Sequence, residues 1–184
     1  MKHLLILLFH LPVLAFAQNQ TKEVLTLLNA ARSNPQDFIS TYVRPYLKAN
    51  NLENNAYAKS LIADLSKTKS MDPFNLSQAL TKTATDHAKD MGFSGATGHN
   101  STDGTSFDTR LRKNAKAAGL IGENCDYGDE AALDIVMHLL IDDGVESVGH
   151  RKNILEPNFK FIGIGIEKHK TYNTNCVMDF AQHF

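Results

Sequence analysis

Leu76, Ala79, Leu80, Thr83, Ala84, His87, Ala88 and Met91 recur at i, i+3, i+4, i+7, i+8, i+11, i+12 and i+15. That spacing predicts one helix over 76–92 with a single, mostly apolar face, which must lie against another apolar surface. Ser77 is placed to cap its start and Gly92 to end it. A partner surface is written at the C-terminus. "FKFIGIGIEKH" (159–169) and "NCVMDFAQHF" (175–184) read as strands joined by a "KTYNT" turn, a hairpin. Inside it, "IGIGI" (162–166) alternates glycine along a strand, whereas a nucleotide-binding loop sets glycines at a strand-to-helix turn. A strand face without side chains lets another element pack closely.

The rest of the chain supplies more helices than strands. Helical patterns cover 22–32, stopped near Asn34-Pro35, then about 36–48, 56–68 and 105–117. Another runs through Ile141, capped by Asp129, with Ile135, Val136, Leu139 and Leu140 on its apolar face. "LIGENC" reads as a further strand. No linker, repeat or low-complexity segment divides the chain, so the expectation is one α+β domain with helices packed on an antiparallel sheet.

"MKHLLILLFHLPVLAFAQNQ" stands apart. Lys2, an apolar run over 4–16 and Ala15-Phe16-Ala17 make a secretory leader over 1–17, cut after Ala17. The run falls short of the roughly 20 residues a bilayer crossing needs, and nothing later resembles a membrane span. Loss of Lys2 leaves 18 of the 19 basic residues against 20 acidic ones, a formal charge of −2. No basic stripe marks a nucleic-acid surface, and no polybasic or lipidation signal marks a membrane surface. The sequons at Asn19, Asn75 and Asn100 matter only in a eukaryotic secretory pathway. Two cysteines, Cys125 and Cys176, in an exported chain favour a disulfide between them over two separate buried thiols.

His99 in "TGHNSTDG" and His150 in "ESVGHRKNIL" each follow a glycine at a boundary, where backbone can turn and leave a ring facing a cleft. Glu123 in "GENC" and the pair Asp142-Asp143 are the acids to accompany them. Two neutral imidazoles are a start for a divalent-metal site, which carboxylates complete or orient. His87 reads as a core histidine on its helix face, and His138, His169 and His183 have no context that singles them out. Arg151 and Lys152 read as solvated cations.

"LLNAARSNP" (27–35), "PFNLSQALTKTATDHAKDM" (73–91), "TGHNSTDG", "GENC", "VGHRKNIL" with "IGIGI", and "VMDFA" follow one another in a recognisable order. The chain thereby resembles the CAP superfamily, also called SCP-like, over about 24–182: cysteine-rich secretory proteins, antigen 5 and plant pathogenesis-related proteins. Its "GHRKNIL" form is closer to bacterial and protist members. The resemblance implies an α-β-α sandwich with a cleft, in which His99, Glu123 and His150 match three of the family's four cleft residues. The fourth, usually a glutamate, falls on Asp142, with Asp143 and Glu146 as rivals.

The resemblance implies a secreted binding module, extracellular, or periplasmic or at the cell surface in a bacterium. Its cleft would take Zn²⁺ or another divalent metal at His99 and His150, and lipid or sterol ligands and extracellular protein partners are further expectations. The alternative is a metal-assisted hydrolase, protease-like, with Glu123 as general base. Against that stand the absence of a G-x-S-x-G elbow and of an H-E-x-x-H helix.

Overall fold

The structure, a computed structural model, describes the backbone from Leu11 onward and side chains from Asn19. The expected leader therefore lies outside the described residues, except for the backbone of 11–17, which is helical. The helices are α1 (Leu11–Ser33), α2 (Pro35–Phe38), α3 (Arg44–Ala49), α4 (Ala56–Lys67), α5 (Gln78–Ser94), α6 (Phe107–Asn114), α7 (Ala132–Ile141) and α8 (Gly149–Ile154). A π-helical turn, Ile39–Val43, joins α2 to α3. The strands β1 (Asn75–Leu76), β2 (Ala118–Tyr127), β3 (Phe161–His169) and β4 (Asn173–His183) form one sheet in the order β1-β3-β4-β2. Two of the three pairings are antiparallel, as expected, but β1 runs parallel to β3. This short extra strand arises because the chain must reach the start of α5 above β3, and it hydrogen-bonds to that strand's edge on the way.

The sheet is the middle layer of an α-β-α sandwich. On one face α5 lies directly on β3, and the alternate glycines make that possible. A Cβ on Gly163 would stand 2.0 Å from the carbonyl carbon of Leu80, and one on Gly165 would stand 2.4 Å from the backbone nitrogen of Thr85. On the other face Ile162, Ile164, Cys176, Met178 and Phe180 join α1, α4 and α7 in the main core. The helix α5 ends at Gly95, in the left-handed region at φ 78, rather than at Gly92. Gly92 serves close approach instead, since a Cβ there would lie 2.0 Å from the Lys168 carbonyl oxygen.

The conspicuous polar residues of the first helix are structural. Asn29 accepts from the Phe74 backbone N–H and donates to the Phe74 carbonyl. Arg32 is fully buried, donates to the carbonyls of Asp72, Ile154, Glu156 and Phe159, and lies 3.9 Å over the Phe74 ring. One guanidinium thus ties α1 to the segment leading into β3.

Cys125 and Cys176 are free thiols, which corrects the expected disulfide. The register of β2 on β4 sets Cys125 opposite Val177 and Cys176 opposite Asp126. Directly opposed residues share a face, whereas neighbours along a strand alternate. The two sulfurs therefore sit on opposite sides of the sheet, Cys125 near Ala84 and Ala88 of α5 and Cys176 in the main core.

Candidate functional site

The strand β2 lies at the edge of the sheet, and the predicted site residues gather along it from both helical layers. Glu123 points to the α5 side, paired in register with Asp179. Its Oε1 accepts from His99 Nδ1 at 2.9 Å, and its Oε2 accepts from the Arg110 guanidinium. His99 is carried by the loop after α5, which turns at Gly98 with φ 113, a left-handed value that favours glycine. Arg110, on α6, also donates to the carbonyls of His99 and Thr105 and to the Ser101 hydroxyl, so it pins the histidine loop as well as the acid. Burial pushes the Glu123 carboxyl up, but the His99 hydrogen bond and the Arg110 charge outweigh it and leave its pKa below the ordinary value. Asp179 goes the other way: burial, then the neighbouring Glu123 charge, drives it well above the usual carboxylate range.

His150 approaches from the other layer. Asp142 Oδ1 accepts from its Nδ1 at 2.7 Å, while Oδ2 accepts from its backbone N–H at 2.9 Å. The His150 carbonyl accepts in turn from Asn124 of β2 at 3.0 Å. Asp142 is buried as the cap of α7, in a left-handed conformation at φ 58. Of its rivals, Asp143 is exposed and accepts from Asn55, and Glu146 is exposed. The expected glycine hinge is misplaced by one residue. Val148 takes the left-handed turn at φ 44, and Gly149 is an ordinary first helical residue.

Arg151 is not a solvated cation. It is buried and donates to the carbonyls of Leu140, Ile141 and Tyr57, to Ser60 and to Asp64, locking the end of α7 to α4. His87 is the core histidine expected, its Nε2–H donating to the Gly98 carbonyl at 2.9 Å and its Nδ1 buried without a partner. His138, for which the sequence offered no acidic context, donates toward Asp126 and Asp129 at 2.6 and 2.9 Å. Two groups of possible metal-ligating atoms come within 4.8 Å of one another among the described residues: His87, Glu123 and Cys125, and Asp126, Asp129 and His138. The first is closed off and its acid is already held by Arg110.

His99 and His150 belong to neither group, but each ring taken by itself has the chemistry of a metal ligand. A carboxylate only accepts, so each Nδ1 carries the proton facing it, and Nε2 is the nitrogen whose lone pair a neutral ring offers to an ion. Among the described residues neither Nε2 makes a hydrogen bond to the protein. An imidazole oriented by a carboxylate through one nitrogen and open at the other is the arrangement metal-binding histidines show.

Comparison with known proteins places the fold. The sequence pattern of the Cysteine-rich secretory protein family, CAP, matches residues 25–180. The chain belongs to that family. Among solved structures it is similar to an extracellular protein containing an SCP domain from Bacillus anthracis str. Ames, with TM-score 0.51 and 21% identity over 73% of this chain and 43% of that one. An outer surface protein from Borrelia burgdorferi aligns with TM-score 0.53 and 19% identity, over 75% of this chain and 96% of that one. A cysteine-rich secretory protein from Staphylococcus aureus subsp. aureus Mu50 aligns with TM-score 0.55 and 11% identity, over 98% and 42%. The chain thus spans less than half the length of the Bacillus and Staphylococcus proteins. No curated protein matches it. No helix among the described residues is long and apolar enough to cross a membrane.

Proposed function

We propose that this CAP domain is an extracellular binding module whose cleft holds a divalent metal such as Zn²⁺ through Nε2 of His99 and His150. The observation that carries this reading is the pair of carboxylate-oriented imidazoles, His99 on Glu123 and His150 on Asp142, each with its second nitrogen free. The extracellular and outer-surface proteins among its structural relatives support the same compartment. Metal would give the cleft a fixed positive centre for an anionic or carbonyl-bearing partner. The histidines hold it, and Glu123 and Asp142 set the ring orientation.

The hydrolase reading needs Glu123 to accept a proton from water. Both of its oxygens are engaged, and its pKa is held down, so it is a weak base. A lipid or sterol site draws no support from the hollow between α4 and α8, whose lining includes Asp64, Lys67, Arg151, Lys152 and Glu156. The test is Zn²⁺ titration by calorimetry of wild type and the His99→Ala/His150→Ala variant. The expected result is loss of one equivalent. Asp142→Asn should weaken that equivalent about 10- to 100-fold. Undiminished binding by the double variant moves the cleft function elsewhere.

A further inference from the structure

On the opposite face of the sheet from Glu123, near the end of β2, three side chains converge that the family motifs do not include. Asp126 is the last inward residue of β2 on the α7 side, opposite Cys176. The chain then turns through Gly128 at φ 101, which folds Asp129 back toward α7. His138 reaches the same point from the second turn of that helix, so Nδ1 meets Asp126 Oδ1 at 2.6 Å and Asp129 Oδ2 at 2.9 Å.

The cluster has the features of a built site. The Asp126 side chain is 0% exposed, yet its second oxygen, Oδ2, is buried with no hydrogen-bond partner. A buried carboxylate oxygen without a donor is costly and asks for a cation. Among the described residues no lysine or arginine forms an ion pair with Asp126 or Asp129, and His138 alone does so. The mouth is open: the His138 side chain is 55% exposed and that of Asp129 31%. An ion therefore has a route in and a buried anchor at the end of it.

We propose that Asp126, Asp129 and His138 form a second divalent-metal site, separate from the His99/His150 cleft, suited to a first-row ion such as Zn²⁺ or Mn²⁺. Two carboxylate oxygens and one imidazole nitrogen match the ligand preferences of these ions, and water completes the shell. Ligand bonds of about 2 Å place neighbouring donor atoms roughly 3.3 Å apart in a tetrahedral shell. The three donors already lie within 4.8 Å of one another, and the two close nitrogen–oxygen contacts need to open only slightly. The ion displaces the Nδ1 proton that the His138 imidazolium presents to the two acids; that proton leaves to solvent, and the ring stays neutral with its remaining proton on Nε2.

The experiment separates this site from the cleft. Zn²⁺ is titrated by calorimetry into the His99→Ala/His150→Ala variant and into the same variant carrying His138→Gln. The first should still bind one equivalent, and the second should lose it or weaken it at least tenfold. Asp126→Asn, which keeps the shape of the buried side chain, should do the same, and circular dichroism establishes that each variant is folded. No binding by the His99→Ala/His150→Ala variant, or binding undiminished by both His138→Gln and Asp126→Asn, overturns the second site. The single variant His138→Gln reports on the cleft alone, so the two readings fail independently.

Discussion

Asp179 and Glu123 face each other across β2 and β4, and a buried pair of carboxyls cannot both ionise cheaply. Asp179 accepts from the Thr83 hydroxyl at 2.6 Å through Oδ2, while Oδ1 finds no donor. A proton on Asp179 turns that orphan into a donor toward Glu123, and Arg110 then neutralises Glu123. Because the folded pKa of Asp179 is raised, the stability it contributes is present below the ordinary value of 3.8 and is lost as pH rises through the folded value. Asn at this position keeps a neutral acceptor for Thr83 and a permanent donor for Glu123. Asp179→Asn should therefore be more stable than wild type at pH 8, by about 1–3 kcal/mol, with the gap closing toward pH 4. Urea unfolding at the two pH values measures it, and a variant destabilised at pH 8 refutes the shared proton. None of this was visible in the sequence, where Asp179 is one letter of a strand and Arg110 one cation of a helix. The motif order marked His99, Glu123, Asp142 and His150 because their neighbours in sequence identify them. Arg110, Arg151 and the partners of His138 act across distances set only by the fold.

The elements whose periodicity is unbroken were the legible ones. The stripe over 76–92 and the alternating hairpin appear as α5, β3 and β4, with ends displaced by a residue or two where caps decided them. The stretch 36–48, read as one helix, is instead α2, a π-helical turn and α3, and β1 is too short for any pattern to betray. Register was the costliest gap. Two strand cysteines look bridgeable until the pairing shows them on opposite faces. The glycines of β3 did carry their meaning, because close approach demands the missing side chain. Gly163→Ala sets a Cβ 2.0 Å from Leu80 backbone, and nothing flexible is there to yield. Either α5 lifts from the sheet or β3 bends, and we expect a loss above about 3 kcal/mol, at the upper end of overpacking costs. Gly149→Ala is the control: its Cβ meets only the Ser147 hydroxyl, at 3.4 Å, and its backbone is helical. Denaturant unfolding that finds the two variants equally stable would mean that α5 does not sit as closely on β3 as described.

In the whole molecule the proposed metal site would join two layers. His99 belongs to the α5–α6 side and hangs on Glu123, whereas His150 belongs to the α7–α8 side and hangs on Asp142, with β2 between them. A ligand taken by both imidazoles would bridge the two layers, and anything that binds only the folded state stabilises it. In the His138→Gln background, which leaves the cleft as the sole proposed site, Zn²⁺ at about 1,000 times its Kd should add about 4 kcal/mol. For a chain of this size that corresponds to a rise in Tm of roughly 8–16 °C. Either His99→Ala or His150→Ala alone should remove most of the rise, because a single remaining imidazole no longer joins the layers. A calorimetric scan in which one of the two single variants retains the full shift would place the ion on one layer only, and the cleft would then be no bridge.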